Sequence, residues 1–264
     1  MDYANYTCIR AERVRRVLTL TINRPDVLNA VNAALHEELS RIFYDAGADP
    51  DTDVVVLTGA GRAFCAGGDI DWMQEAIDRP ESFEDTAVEA KKIIFGLLDC
   101  EKPIICRMNG HAVGLGATIA LFCDIIIAVD SARIGDPHVR VGLVAGDGGA
   151  VIWPQLIGFA RAKEFLMTGD LIGAADAARI GLINHAVPAA ELDAKVAGIV
   201  GKLANGATKA IRWSKVAVNI PLRQLAHSMM DASLAYEVVS NRTADHREAV
   251  AAFREKRKPR FGVS

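Results

Sequence analysis

The chain has 264 residues, above the prior of ~150 per domain and long enough to bury a sizeable core. Its 30 basic residues stand against 33 acidic ones, a net charge of −3 that gives no footprint for nucleic acid. The N-terminal run MDYANYTCIRAERVRR has no apolar signal-like core, and the apolar run Ala117 to Val129 is interrupted by Asp124 and too short to span a bilayer, so a cytoplasmic location is expected.

In chain order, Val17 to Ile22 (VLTLTI) is a β-branched strand pattern closed by Asn23-Arg24-Pro25. Asn32 then has the character of an N-cap for a helix carrying Leu35, Leu39, Ile42 and Phe43. Val54 to Thr58 (VVVLT) reads as a strand buried on both faces, bounded by Gly59-Ala60-Gly61. The turn Ala66-Gly67-Gly68-Asp69 leads into a short helix near Ile70, and a polar loop from Asp78 to Ser82 precedes a helix of about Asp85 to Leu98. Pro103 to Arg107 is the next strand, followed by Asn109-Gly110, a helix from Ala117 to Phe122 and a strand from Ile125 to Val129. Strand, turn and helix recur three times, which suits an α/β core rich in parallel strands with helices outside.

Beyond Gly148 the strand signal nearly vanishes. Helices are expected at Gly149 to Leu156, Arg161 to Met167, Ala174 to Ile180, Glu191 to Leu203, Thr208 to Val216, Leu222 to Asn241 and Asp245 to Lys256. The division is thus an α/β core over 1–200 and a helical C-terminal region over 201–264. Leu222, Leu225, Met229, Met230, Leu234 and Val238 form an apolar stripe that packs either on another subunit or on the chain's own core. The tail from Arg254 to Arg260 has five basic residues in seven, either a solvated helix end or a phosphate contact. Five cysteines (Cys8, Cys65, Cys100, Cys106, Cys123) lack CxxC spacing and sit in apolar surroundings, so buried free thiols are expected ahead of a nucleophile, and no metal site is expected.

Glycine is densest from Asn109 to Gly149, and the chemistry is expected there. Gly114 and Gly116 open the helical run, which leaves backbone N–H groups unpaired at a helix N-terminus and suits an anion or oxyanion. The turn at Gly67-Gly68 could aim a second amide at the same oxygen. Gly114-Leu115-Gly116 is not a dinucleotide fingerprint, because Ile119 occupies the third glycine position and the pattern does not immediately follow its strand.

Five ordered blocks resemble the enoyl-CoA hydratase/isomerase (crotonase) superfamily over nearly the whole chain. They are Asn23-Arg24-Pro25 with Asn29-Ala30, Gly61 to Ile70 (GRAFCAGGDI), Lys102-Pro103, Asn109 to Gly116 (NGHAVGLG) with Cys123-Asp124, and the ending Phe253 to Arg257. The resemblance implies a spiral of ββα turns, a helical C-terminal trimerisation region giving a trimer or a dimer of trimers, and acyl-CoA thioester substrates. Coenzyme A would then be part of the substrate, with no separate cofactor, in a route such as fatty-acid or ring degradation. It implies a thioester oxygen held by the amides of Gly68 and Leu115, although the family usually has glycine in place of Leu115. CoA contacts carry over to Val27, Leu28, Ala66, Gly67, Asp69, Ile70 and, from a neighbouring chain, Lys258.

The two glutamates with which family hydratases hold water map onto Thr118 and His138. Threonine cannot be a general base at neutral pH, and a buried helix hydroxyl is otherwise satisfied by backbone. Histidine can, with an unperturbed pKa of about 6.5. Asp147, nine residues on, either orients that imidazole or caps the helix that follows. Asp136 caps the Pro137 turn. A His/Asp pair of this kind resembles the family's β-diketone C–C hydrolases, in which a further carboxylate maps onto Glu237. Those enzymes use another histidine near the glycine turn, and His111 lies a few residues early for it. The resemblance therefore implies an acyl-CoA enzyme in which His138 and Asp147 replace the glutamates. The alternatives are a C–C hydrolase of a β-diketone or cyclic β-keto acyl-CoA, or an acyl-CoA binding protein without catalysis.

Overall fold

A computed structural model describes residues 1–262. The chain opens with two antiparallel strands, β1 (Ile9–Val14) and β2 (Val17–Ile22), joined by a turn in which Arg15 takes a positive φ. Helix α1 (Ala33–Ala48) follows, and the Asn32 side chain caps it by accepting from the Leu35 amide at 3.0 Å. Its apolar face, Leu35, Leu39, Ile42 and Phe43, is fully buried. The six residues of β3 (Val54–Gly59) are all buried, as a run without polar alternation requires when helices cover both faces of the sheet.

Helices α2 (Ile70–Asp78) and α3 (Ser82–Asp99) come next. The polar loop expected between them is therefore shorter than the sequence pattern suggests, because α3 starts at Ser82 with Glu84 and Asp85 in its first turn, where acids suit the positive end of a helix. The chain continues through β4 (Ile104–Met108), β5 (Ala112–Val113), α4 (Leu115–Leu121), β6 (Ile125–Val129) and β7 (Arg133–Gly135) to a short 3-10 turn at His138–Val141. Helix α5 (Gly149–Thr168) contains a break at Gly158, whose φ of 77° and ψ of 159° separate the two helical segments expected there.

After α5 the sequence pattern failed in two places. Strands β8 (Ile172–Gly173) and β9 (His185–Val187) are present where no strand was expected, because two or three residues are too few to show a period of two. Helices α6 (Ala174–Arg179) and α7 (Ala189–Ala204) match expectation, but the two helices anticipated around Pro221 are one, α8 (Thr208–Asn241). Pro221 is exposed, so its ring and its missing N–H fall on the solvent side. Helix α9 (Ala244–Arg254) completes the fold, capped by Thr243.

The main sheet runs β1-β2-β3-β4-β6-β9, parallel from β2 onward, and a smaller sheet runs β5-β7-β8. The apolar stripe of α8 packs inside this chain: Met230 and Leu234 belong to the core, and Leu222, Leu225 and Met229 pack against it. Within one chain the core takes up Met230 and Leu234 and leaves Leu222, Leu225 and Met229 half-buried. All cysteines are free among the described residues, and four of the five are buried. No helix among them is long and apolar enough to cross a membrane.

Candidate active site

The small sheet builds the site. Pairing of Val113 with Gly135 sets the turn before α4 beside the turn Asp136-Pro137-His138, and the Gly114 amide donates to Gly135 O at 2.9 Å. From the other side, the Val113 amide donates to Cys65 O at 2.9 Å, which brings the turn Ala66-Gly67-Gly68 against the same place. Gly67 is required there, since its φ is +89° and a Cβ would lie 3.0 Å from Val113 O. Gly116 allows α4 to approach, because a Cβ would meet the Cys65 side chain at 2.6 Å.

Neither the Gly68 nor the Leu115 amide has a protein acceptor among the described residues. Leu115 opens α4, where the first N–H groups have no partner within the helix. Both residues line one cavity with His138, Asp147 and Glu237. The cavity holds about 60 Å³ and is walled on its apolar side by Trp72, Phe83, Ala87 and Ala90 from α2 and α3.

Asp136 does more than cap its turn. Its Oδ1 takes the Nδ1 of His138 in a short hydrogen bond and also faces the His138 amide at 3.4 Å, while Asp147 Oδ2 lies 3.7 Å from the other ring nitrogen, Nε2. Asp147 thus faces the imidazole as expected, but the closer hold comes from Asp136, which sequence reasoning had assigned to the backbone. A Cβ at Gly149 would fall 2.2 Å from Asp136 Oδ2, so glycine lets the N-terminus of α5 come against these acids, where its dipole favours negative charge. Thr118 is fully buried and donates to Asp147 Oδ1 at 3.3 Å, so a carboxylate and not backbone satisfies it, and it is absent from the cavity wall.

Burial works against a charged His138, but the charges of Asp136 and Asp147 and the bond to Asp136 outweigh it and hold the pKa well above its ordinary value. Burial pushes Asp147 upward, against the opposing pull of His138. Glu237 is pushed up to about 8, by burial first and then by the nearby Asp147 charge, so it is protonated at neutral pH. Its Oε2 has no protein partner. Asp136, His138 and Asp147 each bring a ligand atom within 4.8 Å of the others. Electrostatically the cluster is a proton carrier between two acids, beside two unengaged amide donors.

A second pocket adjoins the first and shares Gly68, Met73 and His138 with it. Val27, Leu28, Ala66, Gly67, Asp69 and Ile70, the six expected CoA contacts within the core, all line it, together with Phe253 of α9. Arg24 ties the two turns together by pairing with Asp69 at 3.2 Å. Lys258 is exposed and lines neither pocket, and exposed His111 accepts from the Arg133 amide at 3.0 Å and also lies outside both. Sequence reasoning missed Asn241 and His246, which line the inner cavity. The available signal was a polar residue at position 241 on the same face of α8 as Met230, Leu234 and Glu237.

The family model of enoyl-CoA hydratase/isomerase matches residues 12–263. A short-chain-enoyl-CoA hydratase of Clostridium acetobutylicum is 36% identical over 261 residues, covering 94% of each chain. An enoyl-CoA hydratase/isomerase structure from Mycobacterium paratuberculosis superposes with a TM-score of 0.91 at 35% identity, covering 94% of this chain and 99% of that one. A β-diketone hydrolase from the cyanobacterium Anabaena sp., bound to (S)-3-oxocyclohexyl acetic acid, superposes with a TM-score of 0.85 at 29% identity, covering 91% and 96%. With the sequence match running over nearly its full length and the fold matching over the same span, the chain belongs to the enoyl-CoA hydratase/isomerase family.

Proposed function

We propose that the protein acts on a CoA thioester, with the acyl carbonyl oxygen between the amides of Gly68 and Leu115 and with His138 moving protons on the acyl chain. The observation that carries this reading is the placement of His138 between Asp136 and Asp147, in a cavity whose wall includes two amides without acceptors. An enolate at the thioester puts its charge on the carbonyl oxygen, and a fixed donor there is worth roughly 3 to 4 kcal/mol. At neutral pH His138 carries its proton. When water adds to the β-carbon of an enoyl thioester the alkene electron pair becomes the enolate, His138 gives its proton to the α-carbon, and the proton released by the added water restores the imidazolium. The CoA portion lies in the outer pocket against Val27, Leu28, Ala66, Gly67, Asp69 and Ile70, as substrate and with no further cofactor.

Water held by two carboxylates is not the route here, because Thr118 and His138 stand at those positions. A second reading, C–C hydrolysis of a β-keto acyl thioester, is favoured by protonated Glu237 beside His138 and Asp147. Water adds to the β-ketone carbon and the bond from that carbon to the α-carbon breaks. Its electron pair becomes the thioester enolate, a proton from His138 or Glu237 completes the α-carbon, and the former ketone leaves as a carboxylic acid.

Calorimetric titration with acyl-CoA thioesters tests the binding, and absence of binding below the millimolar range for folded protein would remove the thioester reading. Incubation with crotonyl-CoA beside a cyclic β-keto acyl-CoA, followed by mass spectrometry, separates the two reactions by which substrate is consumed. His138→Ala is expected to lower kcat by about 10² to 10⁴ with acyl-CoA affinity little changed. An active His138→Ala enzyme with an unchanged pH profile would take the histidine out of the mechanism.

A further inference from the structure

The cavity holding His138 also carries polar atoms that the acid–base chemistry leaves unused. Asn241, the last residue of α8, is 2% exposed, and neither its Oδ1 nor its Nδ2 has a protein partner. His246, in the first turn of α9, is fully buried, with Nδ1 2.6 Å from the Val141 carbonyl oxygen. A carbonyl only accepts, so Nδ1 carries the proton and Nε2 presents a lone pair, which also has no partner. Burial holds this imidazole below its ordinary pKa, which keeps that lone pair available. Gly142 makes the placement possible, because a Cβ there would meet the His246 amide at 2.7 Å.

Buried polar atoms without partners are few in native proteins, and a cavity that collects several is shaped for something that pairs with them. The set is specific. A hydroxyl set between them would donate its proton to His246 Nε2 and accept from Asn241 Nδ2. A ketone oxygen accepts from Asn241 but leaves Nε2 bare, and a methylene chain pairs with neither. We infer that Asn241 and His246 form a substrate subsite that binds a hydroxyl on the acyl chain, beyond the carbons at which His138 acts. The enzyme then selects hydroxyacyl thioesters over unsubstituted ones. This rests on the cavity being the acyl site proposed above.

The test compares, by calorimetric titration, hexanoyl-CoA with hydroxyhexanoyl-CoA isomers carrying the hydroxyl beyond the third carbon, and with their oxo counterparts. At least one hydroxy isomer is expected to bind about tenfold or more tighter than hexanoyl-CoA, with the oxo form between, since a site built to pair a hydroxyl rejects the analogue lacking it. His246→Asn keeps an N–H for the Val141 carbonyl but removes Nε2, and Asn241→Leu removes the other half of the pair. Each should bring the ratio close to one while hexanoyl-CoA affinity holds or rises. Equal affinity of the native protein for hexanoyl-CoA and every hydroxy isomer would overturn the subsite and leave the thioester reading intact. An oxo form binding tightest, or a ratio retained in both variants, would also overturn it. Binding of no thioester at all would remove the thioester reading and the subsite together. Should His246→Asn not fold, Asn241→Leu and the native ratios still decide.

Discussion

His138 is largely withdrawn from solvent, and that alone would keep its imidazole neutral. Its charged form persists because Asp136 holds Nδ1 and Asp147 faces Nε2. Replacing Asp136 by asparagine removes the nearer charge and weakens the bond to Nδ1, so the pKa should fall as burial weighs more. Asp147→Asn should move it in the same direction by less. The pH profile of kcat/KM, or the pH dependence of the ring carbon resonance, measures both shifts, and a larger effect at Asp147 would reverse the assignment of the two acids. Glu237 gives a stability effect with a definite sign. The native state keeps a proton with a pKa of about 8, whereas the unfolded carboxyl releases it near its ordinary value of 4.5. Stability from this group is therefore fully present below the unfolded pKa and is lost as pH rises toward 8, by at most about 1.4 kcal/mol per pH unit. Glu237→Gln carries no proton to lose, so its melting temperature should decline less between pH 5 and 8 than that of the native protein. Parallel declines would show that the carboxyl is ionised in the folded state.

At the scale of elements, helix α1 ends against a side chain from another part of the chain. The Ala46 carbonyl would normally accept from the amide four residues on, but that residue is Pro50, which has none. The Nζ of Lys102, 3% exposed, donates to it at 2.7 Å and also bonds the Asp49 carbonyl. Lys102→Met should leave the Ala46 oxygen buried without a partner and the Asp49 oxygen with only the Thr52 amide, and cost roughly 1 to 3 kcal/mol in denaturant unfolding. A variant as stable as the native protein would show that water takes the place of the ammonium. The same scale explains what was legible beforehand. Val54 to Thr58 and the stripe of α1 carry long, uniform patterns and fall where the sequence places them. The α8 stripe was legible as apolar, but only the packing against α3 and the core decides that it faces inward. Pro221 carries a strong stop signal that the solvent-facing side of α8 tolerates. Asp136 beside Pro137 reads locally as a turn cap, and only the fold shows its carboxylate on His138. The meeting of Asn241 and His246 with that histidine depends on α8 and α9 folding back over residues 138 to 147, which no local spacing encodes.

For the molecule as a whole, a net charge of −3 would repel the phosphates of the CoA thioester proposed above, so on that reading attraction comes from a local patch. The C-terminal basic segment is one, although Arg257 is already paired with Glu248 and Glu255. Lys258 lines neither pocket of its own chain, so a part in CoA binding requires that another copy bring it to the outer pocket. Helix α8 does expose large apolar residues, with Trp213 64%, Val218 74%, Tyr236 67% and Val239 65% exposed, Val218 lying on the same helical face as Leu222, Leu225 and Met229. A closed ring of identical subunits would cover such a surface in the way that the family's trimers imply. The expectation is a trimer or a dimer of trimers in light scattering at micromolar concentration. Lys258→Ala should weaken acyl-CoA binding by about three- to fivefold, the size of an exposed ion pair, and should make binding less sensitive to salt. A charge introduced on the exposed face, Val218→Glu, should dissociate the assembly and weaken CoA binding in the same variant, because the monomer loses its neighbour's lysine. A monomeric native protein, or a Val218→Glu monomer that binds acyl-CoA as tightly as the assembly, would place all of the CoA contacts within one chain.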